Sequence, residues 1–424
     1  MDRFTETSYT GFGQNIGNSL KGFFIGFFLI VGAIILLAWN ENRSVEQATA
    51  LKEMEQKIIT LPDTSYQKVN DGKAVLLQGE VKPLHEVVDP EYGVKTDGLV
   101  LQRKVQMYQW KEHTQSKSED KLGGGTETVT TYSYTKEWSE HANNSVSFKH
   151  PEGHENPPMT HRGATYSTDA QLGDFYLGKE IINHIGATEG FPGLSQMPDT
   201  VADAKNYKAY LYIGENPAKP QIGDTKITYT YAPAGIYTFA GEQAGKTLTY
   251  YTTENGKDFL FARYGKVSAK RIFKEELDAN ALWTWILRGI GLLLMFIGFS
   301  MMMGILATLA NVIPMLGTLV GGATALVAGA LTLVLGSLVI AIAWFSSRPM
   351  MSLMILAVGL VIAFVLGKTG KKNTVHRASG APEPATAHER KTESTPPSRE
   401  SEKNKEEQEN LRQEGSSTPP PRRG

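Results

Sequence analysis

The stretch that decides the fold is LWTWILRGIGLLLMFIGFSMMMGILATLANVIPMLGTLVGGATALVAGALTLVLGSLVIAIAWFSSRPMMSLMILAVGLVIAFVLG, residues 282–367. Its 86 residues include only two charged side chains, Arg288 and Arg348, and no Asp, Glu, His or Lys. So long a run with so few ionised groups is typical of protein that is solvated by lipid. The sequence therefore predicts a bundle of membrane-spanning helices here.

Two breaks divide this stretch, one at Asn311 and Pro314 and one in the Ser-Ser-Arg-Pro cluster at residues 346–349. Proline cannot continue a helix, and the second cluster is turn-like. Three spans result, and each is close to or above the ~17 residues that a membrane-spanning helix needs. Their bounds are about 282–306, 316–345 and 350–366.

A fourth span is predicted near the N-terminus, where GFFIGFFLIVGAIILLAW occupies residues 22–39. The run ends in Trp39, Asn40 and Glu41 rather than in the small-residue exit of a cleaved signal peptide, so it is interpreted as a retained anchor.

The topology of the four spans follows from two signals. Basic residues directly after the last span favour a cytoplasmic C-terminus, and with four spans the N-terminus is then also cytoplasmic. Four tryptophans fall at span ends on the opposite face, where indole rings prefer the membrane interface. These predicted interface anchors are Trp39, Trp283, Trp285 and Trp344.

The predicted fold is an α+β membrane protein, with four transmembrane helices and a large β-rich extracytoplasmic domain inserted between spans 1 and 2. Its parts are a short cytoplasmic N-terminus (1–21), the first helix (22–39), the extracytoplasmic domain (40–281), a three-helix bundle (282–367) and a cytoplasmic tail (368–424). The tail is polar and has no aromatic residue, so we expect it to be disordered.

Charge and cysteine content exclude several classes of function. Residues 40–281 carry 27 Lys and Arg against 33 Asp and Glu, which is not the basic excess that nucleic-acid binding requires. The chain has no cysteine, so it has no disulfide, no thiolate metal site and no cysteine nucleophile.

Within the large domain, the pattern predicts a helix at residues 45–58, a strand at 74–81 and a long antiparallel hairpin. The hairpin strands are 99–110 and 126–138, joined by a polar loop that ends in Gly123, Gly124 and Gly125. A helical insertion is expected near 175–185, and a helix at 267–280 that continues into the second span. The further predicted strands are 207–213, 226–231, 236–239, 247–252 and 258–263.

Several segments together resemble the LUMA, or transmembrane protein 43, family. They are Gly79-Glu80-Val81, DPEYGV (89–94), LQRKVQMYQW (101–110), TTYSYTKEW (130–138), GHENP (153–157), ENPAKPQIGD (215–224) and AWFSSRP (343–349). The resemblance covers about residues 1–372 and includes the spacing of the four spans. Because the chain combines a cysteine-free sequence with a long polar tail, it looks more like a bacterial member.

The resemblance implies a four-span protein without established enzymatic activity, which self-associates and organises membranes. It implies the cell membrane for a bacterial member, and the endoplasmic reticulum and inner nuclear membrane for an animal one, with nuclear-envelope proteins as partners there.

The large domain contains residues that could form a metal or phosphate site, but a structural role explains each of them better. His150, His154 and His161, with two nearby glutamates, are a possible metal cluster, but the intervening prolines predict a loop rather than one helical face. The GGG sequence lacks a following Lys-Ser or Lys-Thr, so a hairpin turn is favoured over a phosphate cradle. We therefore predict no catalytic residue, no cofactor and no metal site.

Small residues in the spans are candidates for helix packing. Gly22 and Gly26, and likewise Gly317 and Gly321, have the small-xxx-small spacing that lets helices approach closely. Arg288 lies within a turn or two of the outer end of its span, so its side chain can snorkel to the interface.

The leading functional hypothesis is a non-catalytic, self-associating scaffold that organises membrane protein complexes or membrane structure. Its expected partners are membrane lipids, other copies of the chain and other membrane proteins, and not nucleic acid. The alternative is a subunit of an oligomeric channel or conduit, although the spans have no ionisable residue near the bilayer midplane. A membrane-anchored enzyme with an extracytoplasmic site ranks third.

Overall fold

The computed structural model describes residues 2–345 and, beyond them, positions 353–354, 357–359, 361 and 364. The fold is α+β, with long apolar helices and a large β-rich domain. The predicted fourth span, at 350–366, falls largely outside the described residues, and the predicted disordered tail falls wholly outside them. Both remain predictions.

Within residues 2–345 the helices are α1 (Phe12–Lys57), α2 (Lys179–Ile182), α3 (Ala269–Ala310) and α4 (Pro314–Phe345). Three of them, α1, α3 and α4, are long and apolar enough to cross a membrane. The anchor and the helix predicted at 45–58 form one continuous helix, because no Pro or Gly interrupts residues 33–57. Likewise, the helix predicted at 267–280 continues into the second span as α3.

The β domain contains two larger sheets and two isolated strand pairs. The strands are β1 (Asp2–Thr10), β2 (Ile59–Thr60), β3 (Ala74–Pro83), β4 (Val87–Val88), β5 (Lys95–Thr96), β6 (Val100–Asp120), β7 (Thr126–Ser139), β8 (Ala164–Ser167), β9 (Ala170–Leu172), β10 (Phe175–Leu177), β11 (Glu189–Gly190), β12 (Thr200–Val201), β13 (Ala204–Asn206), β14 (Leu211–Ile213), β15 (Thr225–Ala232), β16 (Gly235–Gln243), β17 (Leu248–Thr249), β18 (Tyr251–Thr252), β19 (Asp258–Phe259) and β20 (Phe261–Tyr264).

The first sheet has the order β1-β7-β6-β15-β14-β13-β12, with β8 beside β6 and β11 beside β15. The second has the order β10-β9-β3-β16-β17, with β2 beside β3 and β20 beside β16. The two isolated pairs are β4 with β5 and β18 with β19. The expected helical insertion at 175–185 is mostly wrong, because residues 175–177 form the strand β10 and only a single helical turn, α2, follows.

The second sheet packs directly on the two long helices. Leu51 and Met54 of α1, Leu76 of β3, and Ile272 and Phe273 of α3 belong to one cluster and are all almost completely inaccessible to solvent. This apolar contact fixes the β domain to the C-terminal part of α1 and the N-terminal part of α3.

The predicted hairpin is present and longer than expected. β6 and β7 pair without interruption from Met107 with Ser139 to Asp120 with Thr126, so the polar residues assigned to a loop continue β6. The turn is confined to residues 121–125, where Gly123 and Gly124 have φ angles of 87° and 80°. L-residues with a side chain rarely adopt that conformation, so the two glycines allow the tight reversal.

An unpredicted strand, β1, joins this hairpin. It pairs antiparallel with β7 over its whole length, from Asp2 opposite Tyr134 to Thr10 opposite Thr126. The N-terminal residues therefore fold back toward the β domain, while α1 begins beside the hairpin turn. No strand was predicted here, because DRFTETSYT has no alternation of apolar and polar residues.

Candidate functional site at the helix pair and the hairpin arm

The most polar buried region of the helices lies where α1 and α3 leave the β domain. We call it the junction cluster, and it consists of Asn40, Glu41, Ser44, Asn280, Thr284 and Arg288. Asn40 donates to the Thr284 carbonyl at 3.1 Å, Asn280 donates to the Ser44 carbonyl at 2.9 Å, and the Thr284 and Ser44 hydroxyls are 2.8 Å apart. These bonds hold the two helices in one register.

An ion pair completes the junction cluster. Arg288 Nε lies 2.5 Å from Glu41 Oε1, and Nη2 lies 2.7 Å from Oε2, in a bidentate arrangement. The Glu41 side chain is fully buried, and that of Arg288 is 9 % exposed. A carboxylate on the neighbouring helix therefore neutralises Arg288 in place, a pairing that the sequence analysis did not predict. The sequence placed Glu41 outside the first span and did not pair the two.

Closer to the hairpin turn, small residues bring α1 and α3 together. A Cβ atom placed on Gly26 would lie 2.5 Å from the carbonyl oxygen of Gly298, and one on Gly298 would lie 2.7 Å from the carbonyl oxygen of Gly26. The helices thus meet backbone to backbone at this point. A Cβ on Gly22 would be 3.8 Å from Met301, an ordinary contact with the same helix.

The second pair of candidate glycines lies at the start of α4. A Cβ on Gly317 would overlap the Asn311 side chain, and one on Gly321 would lie 3.8 Å from Ala307 Cβ. Both glycines therefore face the end of α3 within the same chain.

The predicted interface tryptophans lie near the junction cluster and point outward. Trp39, Trp283 and Trp285 are all more than half exposed, and the Arg288 guanidinium lies 4.7 Å from the Trp285 ring centroid. The side chain of the fourth, Trp344, lies outside the described part of the structure.

A second buried charge network lies in the β domain. Asp89 of the DPEYGV segment is fully buried and receives two hydrogen bonds from Arg103, each at 2.9 Å, and one from the Tyr229 hydroxyl at 2.6 Å. Burial, followed by the hydrogen bond to Asp89, raises the pKa of Tyr229 far above its ordinary value. Glu91 provides a second carboxylate for Arg103. This network fastens the DPEYGV loop to β6 and β15.

The three histidines considered as metal ligands are not brought together. His150 stacks on Phe4 and His154 meets the same ring edge to face, whereas His161 lies apart, 2.7 Å from the Tyr92 hydroxyl. In the described residues, no group of three or more histidine or acidic side chains is arranged to hold a metal ion.

The hairpin and β1 together form a projecting unit that we call the arm: β1, residues 108–120 of β6 and residues 126–138 of β7. At its base, Phe4 stacks on His150 with a centroid distance of 4.3 Å, and Tyr134 stacks on His154 at 3.9 Å. Burial, with a hydrogen bond to Glu112, raises the pKa of Tyr134 to about 12. The aromatic residues at this end thus stabilise the sheet and anchor β1 to it.

One residue at the arm base was missed by the sequence analysis. Asn156, in the GHENP segment, accepts a hydrogen bond from the Trp110 backbone N–H at 2.7 Å and donates to the Trp110 carbonyl at 2.9 Å. The Asn156 amide therefore forms the hydrogen bonds to the backbone N–H and carbonyl at the edge of β6 that a neighbouring strand would otherwise form. A lone Asn between His and Pro gives no sequence signal for this role.

At its far end the arm contacts the helices again. Asn15 of α1 donates to the Gly124 carbonyl at 2.9 Å, Asn311 at the end of α3 donates to Asp120 at 2.8 Å, and Gly123 N–H donates to the Val312 carbonyl at 3.1 Å. The hairpin turn is thereby fixed to the loop between α3 and α4.

Comparison with known proteins places this architecture in a family. The family model described as transmembrane protein 43 matches residues 107–349, which run from the arm to the end of α4. The chain belongs to the transmembrane protein 43 family. The human protein of this name is 30 % identical over 369 residues, covering 84 % of this chain and 92 % of the human one. The homologue from Drosophila melanogaster is 28 % identical over 284 residues, covering 64 % of this chain and 74 % of its own.

No solved structure matches the chain significantly. Membership of the transmembrane protein 43 family, together with three apolar helices in the described residues, makes this a membrane protein. The family resemblance drawn from the sequence segments is confirmed.

Proposed function

We propose that this transmembrane protein 43 family member is a non-catalytic scaffold, which self-associates and organises membrane protein complexes or the membrane around it. The observation that supports this most directly is the continuity of α1 and α3 between the β domain and the apolar segments. Apolar packing at Leu51 and Phe273, and the junction cluster beyond it, hold the domain in a fixed orientation relative to the helices. A fixed orientation of this kind suits a scaffold, which must hold other membrane proteins in defined positions.

The chemistry of the buried charges supports a structural role. Glu41 meets Arg288 in a bidentate pair, and both carboxylate oxygens of Asp89 accept hydrogen bonds from Nη1 of Arg103. The negative charges of these two carboxylates are therefore neutralised within the chain. A cleft of about 530 Å³ lies beside β17, and of the residues that line it only Glu180 has a carboxylate. A pair of carboxylates for acid and base catalysis is therefore not formed by these lining residues.

For the location, we propose the bacterial cell membrane with the β domain on the extracytoplasmic side. The basic residues after 367 and the outward tryptophans near the junction cluster support this orientation. We propose lipids, further copies of the chain and other membrane proteins as partners.

The scaffold proposal is tested by measuring the mass of the protein in native-lipid nanodiscs over a hundredfold range of concentration, with lysine-reactive crosslinking of intact membranes beside it. We expect a discrete oligomer in both measurements. A monomer throughout, with no crosslinked species in membranes, would contradict self-association.

A subunit of an oligomeric conduit is the second candidate function. This function is favoured by the position of the polar arm beside the apolar helices, because polar side chains at that depth could line an aqueous path. Reconstituted liposomes should then pass small solutes or ions, whereas a purely structural assembly should leave them sealed.

A further inference from the structure

The arm is polar on both faces beyond its aromatic base. Residues that face each other in the strand register share a face, so Gln115 lies with Thr131 and Thr5, and Lys117 with Val129. We call this side the charged face, and its members on β6 are Lys111, His113, Gln115, Lys117 and Glu119. The other side is the hydroxyl face, where Ser116 bonds Thr130 at 3.0 Å and Ser118 bonds Thr128 at 2.8 Å.

The hydroxyl face is turned toward the helices. Thr126 and Asp120 belong to it, and they receive hydrogen bonds from Asn15 of α1 and Asn311 at the end of α3. The charged face consequently points away from the helix pair.

The arm and the apolar helices have matching lengths. Residues 111–120 extend about 33 Å at the usual rise of a strand. The part of α1 between Asn15 and Glu41 extends about 39 Å at the usual rise of a helix. Because the arm starts at the β domain and its turn is bonded to the far helix ends, it runs beside the apolar segments for most of their length.

Lipid is an unsuitable neighbour for such a ribbon. Charged side chains and unpaired backbone groups are costly in hydrocarbon, where water cannot satisfy them. Among the residues that the structure describes, no strand pairs with the outer edge of β1, and beyond Trp110 β6 pairs only with β7. The arm thus has two open edges of similar length.

We propose that the arms of neighbouring copies of this chain join edge to edge, β1 of one copy beside residues 111–120 of β6 in the next. The joined arms then surround an aqueous interior, with the charged face toward the water and the helices toward the lipid. This inference rests on the self-association proposed above and gives it a specific interface.

The common orientation of all copies in the membrane favours pairing between β1 of one copy and β6 of another. All copies cross the membrane in the same direction, which excludes an antiparallel contact between two β1 strands. β1 and β6 both run from the β domain toward the hairpin turn, so they can pair in parallel between copies of equal orientation. Such a contact joins two different edges, and repetition of it closes a ring. Exposed apolar residues of α1, such as Phe24, Phe28 and Ile35, then form part of the outer wall.

The absence of cysteine makes the interface directly testable. Thr5→Cys and Gln115→Cys are introduced together in the full chain, and membranes are oxidised before a non-reducing gel. Within one chain Thr131 lies between the two positions, which separates their Cα atoms by about 9.6 Å, twice the usual strand spacing. A disulfide needs less than about 7 Å, so a bond can form only between copies. We expect a ladder of linked chains.

The register between copies is scanned by moving the second cysteine to His113 or Lys117, which lie on the same face. The matched control is Thr5→Cys with Thr131→Cys, where the two positions are direct neighbours in one chain. It should crosslink without a change in mass. Each single-cysteine variant should show no ladder, and unchanged mass in nanodiscs shows that the variants still assemble.

The aqueous interior is tested with Lys117→Cys and a small charged thiol reagent in intact membranes. Labelling without detergent is expected, and labelling only after detergent would overturn the aqueous interior. An oligomer that forms no ladder in any register would overturn the arm interface while leaving self-association intact. A monomer in nanodiscs and in membranes would overturn both proposals.

Discussion

Glu41 of α1 and Arg288 of α3 form a bidentate ion pair, with N to O distances of 2.5 and 2.7 Å, at the point where the helices leave the β domain. The two residues are 247 positions apart in the chain. Together they link α1 to α3 across the whole β domain that lies between these helices in the chain. Because the pair is buried, the opposite charge across it compensates much of the desolvation of each group.

Removal of one partner should therefore destabilise the protein strongly. Glu41→Gln removes the carboxylate that pairs with the buried guanidinium, and we expect the free energy of unfolding in micelles to fall by about 3–5 kcal/mol. The double variant Glu41→Gln with Arg288→Met should recover much of this loss, since both charges of the bidentate pair are then removed. Thermal unfolding followed by tryptophan fluorescence measures both.

Glu46→Gln is the matched control for this experiment. Glu46 is one turn further along α1, and its contact with Lys257 is 3.4 Å long and solvent-exposed. Such pairs contribute about 1 kcal/mol or less. Equal midpoints for Glu41→Gln and Glu46→Gln would show that the buried pair does not stabilise the helix junction.

Asn156 should protect the edge of β6. In Asn156→Ala the N–H of Trp110 loses its acceptor and its carbonyl loses a donor, so we expect faster amide hydrogen exchange at Trp110 and a loss of about 1–3 kcal/mol in stability. Asn156→Asp keeps an acceptor but places a negative charge beside the Trp110 carbonyl, so it should not rescue. Asn216→Ala, at an exposed position, is the control. Unchanged exchange at Trp110 would contradict the edge-capping role.

Periodicity and charge predicted the elements whose signal is local. The first three apolar spans, the helix at 45–58 and the strands of the hairpin all follow from residue pattern over short windows. The pairing of Glu41 with Arg288 did not follow, because helix ends are judged by local hydropathy and the partner is distant in the chain. The strand β1 was missed for a related reason, since its stability comes from β7 and from the stacking of Phe4 on His150.

Stability should depend on pH through His184. Partial desolvation lowers the pKa of His184, whose side chain is otherwise exposed, and its ring nitrogen lies 2.8 Å from the Tyr250 hydroxyl. Near and below the ordinary histidine pKa of ~6.5, the unfolded chain binds this proton more readily than the folded one, so stability falls as pH decreases through that range. His184→Gln should reduce the slope of unfolding free energy between pH 7 and 5. His85→Gln, at another exposed position, serves for comparison, and an equal slope in wild type and His184→Gln would refute the assignment.

The close approach of α1 and α3 gives the sharpest packing test. In Gly26→Ala the new methyl group would lie 2.5 Å from the Gly298 carbonyl oxygen, a backbone atom that cannot rotate away, so the helices must separate. Overpacking of this kind costs about 1–3 kcal/mol. Gly32→Ala on the same helix meets nothing within 4 Å, so it should be neutral or stabilise the helix by up to about 1 kcal/mol. The free energies of unfolding of the two alanine variants are compared in micelles. Spin labels attached to Leu20→Cys and Leu309→Cys, both at exposed positions, report the separation of the helices. An unchanged label distance with equal stability in the two alanine variants would mean that the backbone contact at Gly26 does not set the spacing of the helices.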